Sequence, residues 1–369
     1  MDFPKEILLP QKTIFRKGAV VELAREASEF GPNGQGMIVH GKSLEKSGNK
    51  KKILDAFKYT SDIGTFCREG GEPTLNEVSE VIEAARAMKA EWIAGVGGGS
   101  ALDLAKAAAG LFNAKEKPVF YQEGGILEQR GIPFVAVPTT AGTGSEATIN
   151  SVIINKEKNV KLSIRDKSFL ARKVILDAGL LKGLPAKAMS YAAIDALVQG
   201  YESYISKNAT WFSESLALKG IDLINRNILT AIEKGTEDDL SALMLGSYFI
   251  GIALSSSRLG VIHGVAHILG ALYGIPHGLI CSVCLIPSIN INREAMGHKY
   301  EVLSGVLGAD LSDRVAELLA ELNMTSPFKE KKLIEKEHII SEALKSGSTA
   351  ANPKPIRRVD IEFILDEIF

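Results

Sequence analysis

The chain has 369 residues, 46% of them hydrophobic and 24% charged, with a formal net charge of −1. That length suits two domains or one large domain with insertions, and the near-zero charge excludes association driven by phosphate neutralisation on nucleic acid or an anionic membrane. Three cysteines are too few for a disulfide framework and fit a reducing compartment, which points to the cytoplasm.

The opening segment, MDFPKEILLPQK, lacks a basic region followed by an apolar one, so no secretory signal is expected. Met37–His40 is a short apolar run ending at Gly41 and predicts a strand. Thr74–Lys89 carries Leu75, Val78, Val81, Ile82, Ala85 and Met88, a helical period. Glu91–Val96 predicts the next strand, Ser100–Leu111 a helix and Phe134–Val137 another buried strand. Strands alternating with helices imply a parallel, Rossmann-like sheet with helices on both faces.

After Gly183-Leu184-Pro185 the pattern changes. Ala186–Tyr204, Ser213–Asn225 and Leu240–Ser255 are long, amphipathic and almost free of strand signals. We therefore expect an α/β dinucleotide-binding domain over residues 1–183 and an all-helical domain over residues 184–369, with Pro185 in the first turn of a helix. From Leu259 to Asn292 there is no Asp, Glu, Lys or Arg, a stretch long enough to cross a bilayer. It holds His263, His267 and His277, however, which would be costly facing lipid. It reads as buried helices around a polar site. Cys281 and Cys284 form a C-x-x-C in that run; with no second pair, they read as buried core thiols.

Two loops carry phosphate-binding chemistry. Gly95-Val96-Gly97-Gly98-Gly99-Ser100 follows a strand and opens a helix. Its glycines let backbone approach a phosphate, and the helix N-terminus offers unpaired N–H groups to a pyrophosphate. Asp103 and Lys106 extend the motif to GGGSALDLAK. Pro138-Thr139-Thr140-Ala141-Gly142-Thr143-Gly144-Ser145-Glu146 follows another buried strand; its hydroxyls suit ribose and phosphate oxygens, or a turn that satisfies its own backbone.

His263 and His267 are spaced i, i+4, on one helix face, and His277 follows Pro276 at the start of the next helix. Asp195 lies in a largely apolar helix, where a buried carboxylate needs a partner. A divalent metal would supply one, and two neutral imidazoles with a carboxylate suit Fe²⁺ or Zn²⁺.

GGGSALDLAK, PTTAGTGSEAT, DALVQGYESY and HGVAHILGALYGIPHG, in this order and spacing, resemble the iron-containing (group III) alcohol dehydrogenases, whose fold is similar to that of dehydroquinate synthase. The resemblance runs along the whole chain. It implies a nicotinamide-dependent alcohol dehydrogenase or aldehyde reductase acting on a small-molecule substrate, with no nucleic-acid or membrane partner, and a homodimer. It implies that Gly97, Gly98, Gly99 and Ser100 hold the pyrophosphate, that Thr139, Thr140 and Thr143 line the adenosine and phosphate side, and that Lys161 reaches the nicotinamide ribose. Members that favour NAD place an Asp after the strand matching Met37–His40, where its carboxylate bonds the ribose hydroxyls. Gly41, Lys42 and Ser43 stand there instead, so NADP(H) is expected over NAD(H). Asp195, His263 and His277 match metal ligands. The fourth ligand, a histidine in the family, is Gln199 here, which would ligate directly, hold a metal-bound water, or mark weakened binding. His267 matches the histidine beside nicotinamide and substrate, placed to relay the alcohol proton. Two other chemistries fit the same fold: a metal-independent reductase, to which Gln199 points, and a dehydroquinate-synthase-like lyase, which would need a basic pocket that the helical half does not show.

Overall fold

The computed structural model describes residues 3–31, 33–58, 62–158 and 160–369. The chain divides into two compact units: Leu8–Leu184, and Pro185–Phe369 with the N-terminal stretch that ends at Ile7.

The first unit is α/β. Its strands are β1 (Lys12–Phe15), β2 (Gly36–Gly41), β3 (Ile63–Arg68), β4 (Trp92–Gly97), β5 (Phe134–Pro138), β6 (Asn150–Asn155), β7 (Val160–Arg165) and β8 (Lys173–Leu176). Six of them form one parallel sheet in the order β1-β8-β5-β4-β2-β3, and β6 and β7 pair as a separate antiparallel hairpin. The central strands are buried runs of Met, Ile, Val, Ala and Phe, the composition of a sheet covered on both faces. Trp92 is fully buried; its indole N–H donates to the Gly34 carbonyl at 3.2 Å, and its ring lies where a side chain on Gly36 would stand, 2.0 Å from an added Cβ. Phe57 stacks on it at 5.7 Å between ring centroids.

Strand order decides where a ligand can sit. β2 leads outward to β3 at one edge, whereas β4 leads to β5 in the other direction. The reversal falls between β2 and β4, and in open α/β sheets ligands bind outside the carboxyl ends of strands at such a switch point. His40 of β2 is in register with Val96 of β4, and Gly97 of β4 with Pro138 of β5. The ends of three adjacent strands therefore carry Gly41-Lys42-Ser43, Gly97-Gly98-Gly99-Ser100 and Thr139-Thr140.

The second unit is helical, as the pattern predicts. Ala186–Ile205, Trp211–Glu233 and Glu237–Ser257 pack against one another. Glycines set their spacing: a Cβ on Gly220 would stand 2.7 Å from the Gly246 carbonyl oxygen, and one on Gly200 would meet Ile221 and Ile250 at 2.9 Å. Glu237–Ser257 is long and apolar enough to span a membrane, but 67% of that window is buried inside the fold, as in a core helix. The uncharged run folds as two helices, Val261–Tyr273 and His277–Met296. Gly274, in the left-handed region at φ +63°, ends the first, and Pro276 caps the start of the second.

Candidate metal and cofactor sites

In the α/β unit, the helix Gly99–Gly110 starts at Gly98, an N-cap whose residue has no side chain to satisfy the first N–H groups. Such an uncapped helix start is an anion site in waiting. The threonine loop packs directly on it. Thr139 N–H donates to the Gly97 carbonyl at 2.9 Å. A Cβ on Gly98 would meet Thr140 Oγ1 at 3.2 Å, and one on Gly99 would meet Thr143 Cγ2 at 2.7 Å, so only glycine lets the two loops close on each other.

Lys106 and Asp103 stitch that loop down. Lys106 is fully buried; its ammonium donates to the Ser145 carbonyl (2.7 Å), Ser145 Oγ (2.8 Å), Thr148 Oγ1 (3.1 Å) and the Asn150 carbonyl (2.6 Å). Asp103 Oδ2 accepts from Val152 N–H at 3.0 Å, its carbonyl accepts from Ser151 Oγ at 2.7 Å, and its Oδ1 accepts from Ser145 Oγ. Beside them burial pushes the Glu146 carboxyl up to about 7. Lys42, at the start of the short helix after β2, pairs with Glu69 at the end of β3. Lys161 lies on β7 with its ammonium 2.7 Å from the Glu72 carboxylate.

In the helical unit, Asp195, Gln199 and Glu202 lie on one helix, spaced four and three residues apart and all buried. Gln199 Nε2 donates to Asp195 Oδ2 at 2.9 Å, which turns the other oxygen, Oδ1, toward the histidines. Among the described residues, neither Oδ1 nor Gln199 Oε1 has a hydrogen-bond partner. His263 Nε2 is 3.6 Å and His277 Nε2 3.7 Å from Asp195 Oδ1. Glu202 Oε2 is 2.6 Å from His263 Nδ1, which in the neutral ring would fix the proton on Nδ1 and leave Nε2 for a metal. Glu202 Oε1 also accepts from Ile262 N–H at 2.6 Å, anchoring the start of the His263 helix. A Cβ on Gly278 would stand 2.1 Å from the Tyr191 carbonyl oxygen; that close approach seats His277 against the Asp195 helix. His267 stacks on His277, with centroids 5.2 Å apart and planes at 14°.

Cys281 completes the cluster. Its sulfur is 3.5 Å from His277 Nε2 and 4.0 Å from His263 Nε2, and one donor atom each from Asp195, His263, His277 and Cys281 lie within 4.8 Å of one another. Burial pushes the Cys281 thiol up to about 12. Burial would likewise raise Asp195, but His263 and His277 hold it below the usual carboxylate range. A buried carboxylate oxygen without a partner, facing two imidazole nitrogens, is a donor set that fits a divalent metal.

Residues 10–178 match the family described as iron-containing alcohol dehydrogenase, and residues 189–369 its C-terminal domain. Lactaldehyde reductase of Escherichia coli strain K12 is 30% identical over 306 residues, spanning 82% of this chain and 79% of that protein. The chain belongs to the iron-containing alcohol dehydrogenase family. Solved structures agree on the fold. Sulfoacetaldehyde reductase from Bifidobacterium kashiwanohense, in complex with NAD+, superposes with a TM-score of 0.92 at 25% identity over 100% of this chain and 99% of that one. Alcohol dehydrogenase from Oenococcus oeni superposes at 0.93 and 26% identity over 99% and 100%. As a member of the family, the chain is an oxidoreductase that works with a metal and a nicotinamide cofactor.

Two residues at the cluster carry no motif of their own in the sequence: Glu202, which holds His263, and Cys281. Glu202 falls seven residues after Asp195, on the same helix face; its position inside DALVQGYESY is the available signal. Cys281 falls four residues after His277, again one turn along. The C-x-x-C spacing draws attention to Cys284 as its companion, whereas the fold pairs Cys281 with histidines. Cys284 is a buried core thiol, and Cys281 is buried but faces the cluster.

Proposed function

We propose that this chain interconverts a small aldehyde and its alcohol with NADP(H) in preference to NAD(H), using one divalent metal held by Asp195, His263 and His277. The dehydrogenase class follows from the family; the observation that carries the metal reading is the partnerless, buried Asp195 Oδ1 facing two imidazole nitrogens. When bound, the ion supplies Lewis acidity at a substrate oxygen and the nicotinamide supplies or accepts the hydride. Gln199 acts through Asp195, orienting the carboxylate by its amide hydrogen bond. Glu202 holds His263 in the tautomer that leaves Nε2 unprotonated. His267, beside His277, relays the alcohol proton toward solvent.

In the α/β unit, Gly97, Gly98, Gly99 and Ser100 take the pyrophosphate, Thr139, Thr140 and Thr143 the adenosine side, and Lys161 the nicotinamide ribose. The NADP(H) preference rests on Gly41, Lys42 and Ser43 at the end of β2, which stand in place of an Asp that would bond the ribose diol and repel a 2′-phosphate. Lys42 is engaged by Glu69, so the phosphate competes with that carboxylate. A homodimer through the sheet edge is supported by β1, an edge strand with Phe15 39% exposed; light scattering should give twice 39.7 kDa.

Relatives named for lactaldehyde and sulfoacetaldehyde direct the substrate search to short aldehydes bearing a second polar group. Oxidation of NADPH by a panel of such aldehydes should show turnover, with NADPH used more efficiently than NADH. Tight NADP(H) binding with no turnover across aldehydes and alcohols would overturn the enzymatic reading.

A further inference from the structure

We infer that Cys281 is the fourth protein ligand of the metal, giving an Asp195–His263–His277–Cys281 donor set that favours Zn²⁺ over Fe²⁺. The inference rests on the metal reading above and goes beyond it in donor identity and ion.

Four of the six donor separations are close to those of a tetrahedral site, and all six lie within 4.8 Å. Donors bonded to zinc at about 2.0–2.3 Å stand roughly 3.3–3.6 Å apart. The separations here are 3.5 Å (Cys281 Sγ to His277 Nε2), 3.6 Å (His263 Nε2 to Asp195 Oδ1), 3.7 Å (His277 Nε2 to Asp195 Oδ1) and 4.0 Å (Cys281 Sγ to His263 Nε2). His277 and Cys281 project from one helix a turn apart, while Asp195 and His263 come from two others. The Cys281 sulfur faces two imidazole nitrogens and lies within 4.8 Å of the Asp195 carboxylate, polar surroundings that a thiol packed as a small apolar group would not have.

Gln199, one turn after Asp195 on the same helix, has its Nε2 spent on Asp195 Oδ2. A carboxamide oxygen is also the weaker donor for these ions. Cys281, fully buried, offers a thiolate in its place. On binding, the sulfur–hydrogen bond is replaced by a sulfur–metal bond and the proton leaves to solvent, with no change of oxidation state. A thiolate is a soft donor that prefers zinc over ferrous iron, and the general order of divalent affinities runs the same way. Cys284, one turn further along, lies outside the cluster.

The test is the absorption spectrum of the metal-free full-length chain reconstituted with Co²⁺. Visible ligand-field bands report that the ion binds; a near-ultraviolet thiolate-to-cobalt band reports sulfur ligation. We expect both in the native sequence and in the Cys67→Ser/Cys284→Ser double variant, which keeps Cys281 as its only thiol. The sulfur band should vanish in Cys281→Ser and Cys281→Ala and persist in Gln199→Ala. In chelator competition, Zn²⁺ affinity should fall at least about 100-fold in Cys281→Ser, exceeding the usual effect of losing a supporting residue. Under anaerobic, equimolar Zn²⁺ and Fe²⁺, the chain should retain zinc. Ligand-field bands without the sulfur band, or a sulfur band surviving in Cys281→Ala, would overturn Cys281 ligation and leave the metal reading intact. Retained iron would overturn the zinc preference. A folded chain that binds no Co²⁺, Zn²⁺ or Fe²⁺ would overturn the metal reading itself. If the Cys281 variants do not fold, the double variant decides, because its band has only one possible source.

Discussion

His267 stacks on His277, whose Nε2 is 3.7 Å from Asp195 Oδ1, and in the proposed mechanism His267 and Asp195 have separable tasks. His267→Ala should lower turnover by about 100-fold, at the lower end of what a positioned acid–base group contributes, while metal content stays at the native level. Asp195→Ala should lose metal and activity together, since it removes the carboxylate oxygen that faces both His263 Nε2 and His277 Nε2. Metal lost with His267, or full activity without Asp195, would show the roles to be misassigned. The cofactor preference also turns on single side chains. Glu69→Gln frees Lys42 from its ion pair and should lower the KM for NADPH severalfold with little change for NADH; Lys42→Asp should invert the preference. Equal effects on both cofactors would remove Lys42 from phosphate recognition. At this scale the histidines and glycine loops were legible because their chemistry is written in contiguous strings. Glu202 and Cys281 were not, because each gains its meaning from a different helix.

Gly278 shows how much of the site is decided between elements. It lets His277–Met296 approach Ala186–Ile205 so closely that an added Cβ would stand 2.1 Å from the Tyr191 carbonyl oxygen. Gly278→Ala should cost about 1–3 kcal/mol or more, as overpacked contacts do, and should weaken metal binding by moving His277 and Cys281 together. Thermal melts with and without Zn²⁺ would show this; a variant with native metal affinity would separate the helix crossing from the site. The elements themselves were unevenly legible. β2, β4, β5 and the long helices appear close to where hydrophobic period places them, because each is long or wholly buried. β1 and β8 are four residues each, and the hairpin of β6 and β7 is held by Asp103 and Lys106 from a distant helix. Such pairings are tertiary, and no local pattern announces them.

Across the whole molecule, fold class and family were legible because strands alternate with helices in the first half and the glycine and threonine strings directly follow β4 and β5; the switch point between β2 and β4 belongs to the order of strands in the sheet, which no local pattern announces. The stability of the α/β unit should vary with pH through two buried carboxyls of opposite sign. Burial pushes Glu26 up, but Lys12, Lys173 and Arg25 outweigh it and bring it down to about 2 from 4.5. Its contribution is complete above about pH 4.5 and is lost as pH falls toward 2. Glu146, raised from 4.5 to about 7, behaves inversely: the advantage of its protonated folded form is complete below about pH 4.5 and is lost as pH rises through 7. Native protein should therefore lose on the order of 3 kcal/mol of stability between pH 5 and pH 8 from this group, and Glu146→Gln should remove that loss in denaturant titrations. An unchanged pH slope in the variant would contradict the assignment.

The measurement that bears most directly on a metal-assisted, nicotinamide-dependent dehydrogenase is NADPH-linked aldehyde reduction followed alongside elemental analysis as a chelator strips the chain. Activity should fall in proportion to bound metal and return when Zn²⁺ or Fe²⁺ is restored. Full turnover by a folded, metal-free chain would contradict it and select the metal-independent reductase that Gln199 first suggested.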